Sequence, residues 1–497
     1  MTMLPLHPPK RPPLAMGETG SEFAAYPPGP MSDAGPKFPR GLDRAFWIVD
    51  GASYDLRDWA HRHPGGAHWL MESIGRDISA NFHTYHRDPE RLRAILARYR
   101  IDDVPAHEVL PKMGVPPFLV PSDFDAVRDL PKFDFHAPDS LLGAIRRNVN
   151  ESLSPRRLAR HDRLFDVVTA LIAIVHLFVL GALVASAIRP WIAVLAMVLT
   201  RTSLAGAGHY YLHRKKPTPG PERKPGIGSL LQATSPGLFD CNYIGTFLVG
   251  SDGHVLLHHP HLGYGADVKR AFLAGMLRLH PLLRILGYTL LKLGMCVFAI
   301  PYLGGKIVFQ PLKGVPPHPR PDFWMVRGFL LFELIACAVS GHVLAWFVQF
   351  VVTLWLNTFL VVASHDFENA QGHEWLSTLP EHLRGDWAAQ QVGTSYDLSV
   401  VGSRWIDVFL TAGLSPHRVH HVLPYQRSGF ANIASELAVR RACEAVGIVW
   451  ERPRHFLFER APSIAKYLFL SRAPAPSTVG EFNLFRYVVQ GWRTGAD

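Results

Sequence analysis

The hydrophobic residues of this chain gather in long segments between residues 164 and 363, separated by polar stretches. Residues 164–188 are numerous enough to cross about 30 Å of hydrocarbon as a helix, and a second apolar run, 191–208, follows after Arg189-Pro190. These two runs predict an antiparallel pair of transmembrane helices. The other candidate spans are residues 282–304, 323–341 and 343–363.

The pattern changes outside these segments and predicts a division into five parts. The first part is rich in Pro and Gly, which predicts a disordered tail. The second opens with an apolar strand, Phe46-Trp47-Ile48-Val49, that runs into a turn at Asp50-Gly51. The predicted parts are a tail at 1–39, a compact soluble module at 40–105, a linker at 106–160, a membrane domain at 161–450 and a C-terminal tail of unassigned role at 451–497.

The net charge of +10 is concentrated beside the apolar segments. Under the positive-inside rule, basic residues before the first segment and after the second predict that both stretches are cytoplasmic. Membrane phosphates are the expected counterions, and no nucleic-acid partner is expected because no nucleic-acid-binding motif accompanies the charge. The four cysteines contain no CxxC pair, which argues against a disulfide framework and a zinc ribbon. The basic residues are Arg146, Arg147, Arg156, Arg157, Arg160, Arg163, Arg214, Lys215, Lys216, Arg223 and Lys224.

Three histidine clusters lie at the edges of the apolar segments. Residues three or four apart on a helix share one face, so each cluster can direct its rings towards a common point. The first cluster is His209 and His213, the second is His254, His258 and His259, and the third is His417, His420 and His421. The spacing predicts a metal centre.

Eight imidazoles are too many donors for one ion. Imidazole suits iron, copper, zinc and nickel better than magnesium or calcium, and two ions with about four histidines each would leave coordination positions open for oxygen. A dinuclear iron oxidation site fits this donor set best. The isolated histidines His176, His318 and His342 are expected to be packing or surface residues.

The metal centre also constrains the membrane topology. All three clusters must lie on one side of the membrane, so an even number of spans must separate the second cluster from the third. Residues 282–304 contain Arg284 and Lys292 and are predicted to lie along the interface or to re-enter. Four transmembrane helices follow, with a tight turn at Ser340-Gly341-His342.

The soluble module resembles a cytochrome b5 domain. The resemblance rests on Asp50-Gly51, Tyr54-Asp55, the turn His63-Pro64-Gly65-Gly66, Gly75-Arg76-Asp77-Ile78 and the ending Phe82-His83-Thr84-Tyr85-His86. It implies an α+β fold and a b-type haem with His63 and His86 as axial ligands. His83 is the competing ligand, but the family pattern places the ligand last, after the aromatic residue. Two axial histidines leave no open position for oxygen, so the haem is expected to transfer electrons.

A cytochrome b5 module followed by three histidine clusters and four membrane helices resembles the membrane fatty acid desaturases over roughly residues 40–450. The clusters match the family forms H-x(3,4)-H, H-x(2,3)-H-H and (H/Q)-x-x-H-H. One position departs from the b5-fused front-end desaturases, which usually begin the third cluster with glutamine where this chain has His417. The module is also similar to the group called cytochrome b5-related proteins.

The desaturase resemblance implies an O2-dependent enzyme that introduces a carbon–carbon double bond into an acyl lipid or acyl-CoA. It further implies electrons from NADH-cytochrome b5 reductase and a location in the endoplasmic reticulum, with the haem module and histidine clusters facing the cytosol. His365 is implied as a further iron ligand, with a capping or hydrogen-bonding role at the helix end as the alternative. His261, Asp366 and Asn357 are candidates for orienting a ligand.

Two other functions remain compatible with the sequence. A fatty-acyl or sphingolipid hydroxylase could use the same iron chemistry, although b5-fused hydroxylases generally have a more elaborate histidine arrangement. A membrane-anchored b5-type electron carrier with an inactive desaturase domain is the second alternative, and eight intact histidines argue against it.

Overall fold

The computed structural model describes residues 44–60, 62–65, 70, 73–105, 133–136, 140–214, 253–262, 277, 279–293, 321–365 and 379–471. Several predictions made from the sequence therefore concern residues outside this part of the chain. They are the disordered tail at 1–39, most of the linker, the end of the candidate span 282–304, His318, Asp366 and the last residues of the C-terminal tail.

A small sheet organises the N-terminal module. Strand β1 (Trp47–Val49) pairs antiparallel with β2 (Ala52–Tyr54) and parallel with β3 (Arg76–Asp77). Asp50 and Gly51 join β1 to β2 with φ angles of +52° and +77°, the left-handed conformation that a two-residue hairpin turn requires and an Asp-Gly pair favours. Helices α1 (Arg57–Ala60), α2 (Ser79–Tyr85) and α3 (Glu90–Leu96) complete the module, with a 3-10 turn at Ala97–Tyr99.

The next three helices along the described chain are α4 (Leu141–Ser152), which precedes the apolar segments, and α5 (Pro155–Val184) and α6 (Pro190–His213), which contain the first two. Helices α4 and α5 begin after serine caps, because the hydroxyls of Ser140 and Ser154 accept from the backbone N–H three residues further on. Helix α6 begins with proline, which fits the first turn of a helix since its missing N–H has no partner there.

The rest of the described chain is also mainly helical. A π-helical turn, Gly253–His258, carries the second histidine cluster. It is followed by α7 (Pro281–Leu293), α8 (Pro321–Val339), α9 (Val343–Ala363), a 3-10 turn at Glu381–Leu383, α10 (Trp387–Gly393), β4 (Leu398–Ser399), α11 (Arg404–Leu410), α12 (His417–Val422), α13 (Gly429–Ala445), β5 (Arg454–His455), a π-helical turn at Phe456–Arg460 and α14 (Ala461–Leu470).

Three helices of the described chain, α5, α6 and α9, are long and apolar enough to cross a membrane. Large apolar side chains such as Ile174 and Phe178 on α5 are exposed, as expected of a surface that faces lipid. Helix α8 contributes a shorter apolar stretch, Phe329–Val339, so the fourth span remains a prediction. The predicted tight turn between α8 and α9 is present, with Gly341 at φ +80°.

A buried polar cluster connects four of these helices. Arg201 on α6 contacts Glu333 on α8 (Nη2 to Oε2, 2.5 Å) and donates to Gln349 on α9 (3.1 Å). His176 on α5 lies 2.8 Å from Glu333 Oε1 and is buried, so it has a polar role inside the bundle. A buried charge is tolerated only when it is paired and hydrogen-bonded, and this cluster meets that condition.

An apolar core lies beside the third histidine cluster. Residues from α4, α10, α12 and α13 pack there, including Ile145, Trp387, Val419 and Val439. The part of the predicted C-terminal tail that is described does not stand apart, because Ile464 and Leu468 of α14 pack on Leu360 of α9. This packing fixes the ends of the helices that carry the histidines.

Candidate metal centre

The first, second and third histidine clusters are boxes one, two and three. Box one, His209 and His213, occupies the last turn of α6. This end of the helix is held very close to the turn after α11: a Cβ added to Gly206 would lie 2.3 Å from the carbonyl carbon of Ala412. The Tyr210 hydroxyl donates to the Gly413 carbonyl at 2.8 Å. Only glycine permits such an approach of helix to backbone, and the approach holds in place the end of α6 that carries both histidines.

The histidines of the three boxes meet in two buried groups, together with His365 at the end of α9. Within each group, every residue offers a ring nitrogen within 4.8 Å of the others. The first group is His209, His213, His254, His259 and His420, and the second is His258, His365 and His421. His417 lies beside the second group, with its Nε2 atom 3.1 Å from that of His421.

The grouping differs from the simple helical expectation that each box converges on one point. His254 and His258 belong to different groups, whereas His259 joins His254. The π-helical turn explains this, because its hydrogen bond runs from the His259 N–H to the His254 carbonyl, five residues apart. Box three also divides, with His420 in the first group and His421 in the second.

The donor set of the first group fits a cation. The Nε2 atom of His254 lies 2.8 Å from that of His209, 2.9 Å from that of His213 and 3.2 Å from that of His259. One Nε2 atom has either one lone pair or one proton and cannot satisfy three neighbours. A metal ion among these nitrogens would accept a lone pair from each of them.

The protonation state fits metal binding as well. Burial, with the neighbouring imidazoles adding to it, holds the pKa of His259 and that of His421 well below the ordinary value for histidine. Both rings are therefore neutral at physiological pH and keep the lone pair that a metal needs.

Groups outside the two clusters hold several rings in place. Gln391 Oε1 lies 2.8 Å from His421 Nδ1, and the Ser364 carbonyl lies 3.1 Å from His417 Nδ1. Such partners direct the other nitrogen, Nε2, towards the centre. Arg460 donates to the His365 carbonyl at 3.1 Å and so fixes the backbone of that residue.

The sequence did not indicate Gln391 or Arg460, since neither belongs to a recognisable motif. Of the residues that it did suggest for orienting a ligand, His261 is buried close behind box two. The amide nitrogen of Asn357 donates to the Thr353 carbonyl and to the Thr202 hydroxyl rather than to a histidine of the two groups.

The module contains a second candidate site, between His63 and His86. Their ring centroids are 5.9 Å apart, a separation at which both imidazoles can ligate one iron placed between them. His86 Nδ1 lies 2.8 Å from the Phe82 carbonyl, which leaves Nε2 available, and burial lowers the pKa of His86 to about 4. A Cβ added to Gly65 would lie 2.7 Å from the His63 ring, so a larger residue there would displace this ring.

His83, the competing ligand, is used elsewhere. Its Nε2 lies 2.9 Å from Asp50 Oδ1, and its ring stacks on Phe135 with centroids 4.6 Å apart. These contacts favour His86 as the partner of His63.

Comparison with known proteins identifies the families of the two domains. Residues 186–449 match the model described as fatty acid desaturase, and residues 39–105 match the model described as cytochrome b5-like heme/steroid binding domain. The chain belongs to the fatty acid desaturase family. This desaturase is therefore an oxidoreductase with a fused cytochrome b5 domain, and the predicted α+β haem module followed by a helical membrane domain is confirmed.

Two acyl-lipid desaturases are similar over most of this desaturase. The acyl-lipid omega-13 desaturase of Chlamydomonas reinhardtii is 23% identical over 450 residues, which cover 79% of this chain and 86% of that protein. The acyl-lipid (8-3)-desaturase of Mortierella alpina is 23% identical over 408 residues, which cover 76% of this chain and 83% of that protein.

The similarity to the cytochrome b5-related protein of Drosophila virilis is confined to a short segment. It amounts to 32% identity over 59 residues, 12% of this chain and 39% of that protein. No solved structure shows a significant match to this desaturase.

Proposed function

We propose that this membrane-bound desaturase holds two iron ions in its two histidine groups and a b-type haem between His63 and His86, and that the haem supplies electrons to the irons within one chain. The observation that carries the proposal is the convergence of buried imidazoles from three boxes and from His365. Bound iron would supply the capacity to reduce O2 and to remove hydrogen from an unactivated methylene group.

The reaction balances with two electrons from outside the substrate. One O2 molecule, two protons, two electrons and the two hydrogens of a –CH2–CH2– unit give two water molecules and a C=C bond. The proposed external donor is NADH-cytochrome b5 reductase, which would reduce the haem. The proposed substrate is an acyl lipid or acyl-CoA in a membrane such as the endoplasmic reticulum, with the histidine boxes on the cytosolic side.

Each of the two histidine groups would hold one iron ion. His209, His213, His254, His259 and His420 would hold one ion, and His258, His365, His417 and His421 the other. Their burial would exclude bulk water, which protects a reactive centre from side reactions. Helices α6 and α9 both end at this centre, so an acyl chain lying along them would present a methylene group to it.

The test is the fatty acid profile of a desaturase-deficient host that expresses the chain. The comparison variant is His420→Ala/His421→Ala, which removes one histidine from each group. The matched control is His342→Ala, in the turn before α9, whose ring lies 3.1 Å from the Ser186 hydroxyl. We expect a new unsaturated fatty acid with the native chain and with the control, and none with the double variant.

Metal analysis of the purified proteins accompanies the profile. We expect two non-haem irons per native chain and a loss of iron, with haem retained, in the double variant. New hydroxy fatty acids in place of unsaturated ones would shift the assignment to a hydroxylase. Full iron and haem without any change in the lipids of a host that supplies a range of acyl chains would contradict the proposal.

A further inference from the structure

One face of helix α2 connects the haem module to the histidine centre. Asn81 and Tyr85 are four residues apart and so lie on the same side of this helix. The Asn81 amide donates to the Val255 carbonyl at 3.1 Å, in the turn that carries box two. The Tyr85 hydroxyl lies 2.9 Å from Nδ1 of His213, in box one.

The Tyr85 ring is also aligned with the ring of His213. The phenol ring and the His213 ring are parallel within 9°, with centroids 6.0 Å apart. His213 Nε2 lies 2.9 Å from Nε2 of His254, so the histidine has Tyr85 on one side and the first histidine group on the other. A histidine that coordinates through Nε2 carries its proton on Nδ1, and the phenol oxygen then accepts it.

Tyr85 is also the residue directly before His86. The candidate haem ligand and the candidate metal ligand are therefore separated by one peptide unit, one side chain and one hydrogen bond. The backbone of His86 is held from the other side, because Arg146 of α4 donates to its carbonyl at 3.2 Å. Arg87 donates to Asn150, also on α4, at 2.6 Å.

We propose that Tyr85, supported by Asn81, is the positioning residue that docks the haem module on the metal centre for electron transfer. This inference rests on the proposed function, since it assigns the route of the electrons that the function requires. With haem and iron bound as proposed, each transfer would oxidise one ferrous haem to the ferric state and reduce one ferric ion of the histidine centre, so that the electrons balance. Tyr85 stays a neutral phenol that sets the distance and the coupling through His213, and two such transfers serve one turnover.

The test measures oxidation of the reduced haem in the full-length protein loaded with haem and iron. The haem is reduced anaerobically with NADH and a catalytic amount of cytochrome b5 reductase, then mixed with oxygenated buffer and acyl-CoA while its absorption is followed. Tyr85→Phe keeps the ring and removes the oxygen. We expect oxidation about fivefold slower, the factor that corresponds to about 1 kcal/mol for one lost hydrogen bond.

The further variants separate docking from folding. Tyr85→Leu removes the ring as well and is expected to slow oxidation further, whereas Tyr54→Phe, on β2 of the same module, is the matched control and is expected to leave the rate unchanged. The haem potential should be unaltered in all three variants. Because the Tyr85 oxygen contacts Nδ1 of His213 as Gln391 contacts Nδ1 of His421, the iron content is measured in each sample and the rates are compared at equal iron occupancy. In iron-free protein, amide hydrogen exchange of α2 should quicken in Tyr85→Leu and Asn81→Ala but not in Tyr54→Phe.

The outcomes distinguish this inference from the proposed function. If the native haem is oxidised through the histidine centre, its rate must fall in His420→Ala/His421→Ala. A native rate that does not depend on these histidines overturns intramolecular electron delivery and this inference with it. A native rate that depends on them, combined with a Tyr85→Phe rate equal to the native one, overturns the role of Tyr85 alone.

Discussion

Removing the charge of Glu333 should destabilise the helical bundle more than any change at the surface. Glu333 is completely buried, and its carboxylate contacts Arg201 and His176 from two other helices. Glu333→Gln preserves the size of the side chain and leaves the Arg201 guanidinium buried without a counterion. An arginine cannot become neutral by losing its proton, so the cost cannot be avoided in that way.

The expected cost is about 3–5 kcal/mol, the usual penalty for removing one partner of a buried ion pair. For a helical domain of this size, 1 kcal/mol corresponds to roughly 2 °C in Tm. We therefore expect the Tm of Glu333→Gln to fall by roughly 6–10 °C, measured by intrinsic tryptophan fluorescence in lipid nanodiscs.

A double variant tests whether the unpaired charge of Arg201 causes the loss of stability. Arg201→Met/Glu333→Gln removes both charges and retains an amide oxygen at position 333 that can accept from His176. It also removes the hydrogen bond that Arg201 donates to Gln349, which costs about 1 kcal/mol. We expect the double variant to recover more than half of the Tm lost in Glu333→Gln. A double variant that is less stable than the single one, or a single variant as stable as the native chain, would refute the electrostatic explanation.

Two further predictions concern the ligand sites. Gln391→Leu removes the oxygen that lies 2.8 Å from His421 Nδ1, and we expect metal affinity to fall by about 10-fold to 100-fold, measured by chelator competition, with the haem spectrum unchanged. An unchanged affinity would show that Gln391 does not orient the ring. In the module, His86→Ala should abolish bound haem whereas His83→Ala should retain it, as judged by absorption spectra; the opposite pattern would identify His83 as the ligand.

Several local features of the fold depend only on residues that are neighbours in the chain, and such features are accessible from the sequence. Asp50-Gly51 specifies the hairpin turn because both positions adopt positive φ. Ser154 with Pro155 begins α5, because the serine hydroxyl accepts from the Arg157 N–H and the proline has no N–H to satisfy, whereas the apolar run alone placed the start of this helix at residue 164. Apolar runs long enough to cross a membrane identify the candidate spanning helices α5, α6 and α9 without any knowledge of their packing.

The partition of the histidines depended on the tertiary structure. Residue spacing grouped His254 with His258, since an α-helix places them on one face, but the π-helical turn separates them and brings His259 to His254. His176, an isolated histidine in the sequence, proved to be part of a polar cluster because Glu333 reaches it from a helix 157 residues away in the chain. The first outcome depends on a π-helical geometry that residue spacing does not reveal, and the second depends on contact between two separate helices.

The sequence by itself determined the chemistry of this protein. Residue type and local spacing of the histidine boxes predict a metal centre beside apolar segments, and the resemblance carried by these boxes and by the His-Pro-Gly-Gly turn implies a haem module joined to a membrane desaturase domain. Only the tertiary structure decided which imidazoles share a group, that His365 joins the second one, and that Tyr85 reaches His213. These contacts join residues far apart in the chain, and packing in three dimensions alone sets their distances.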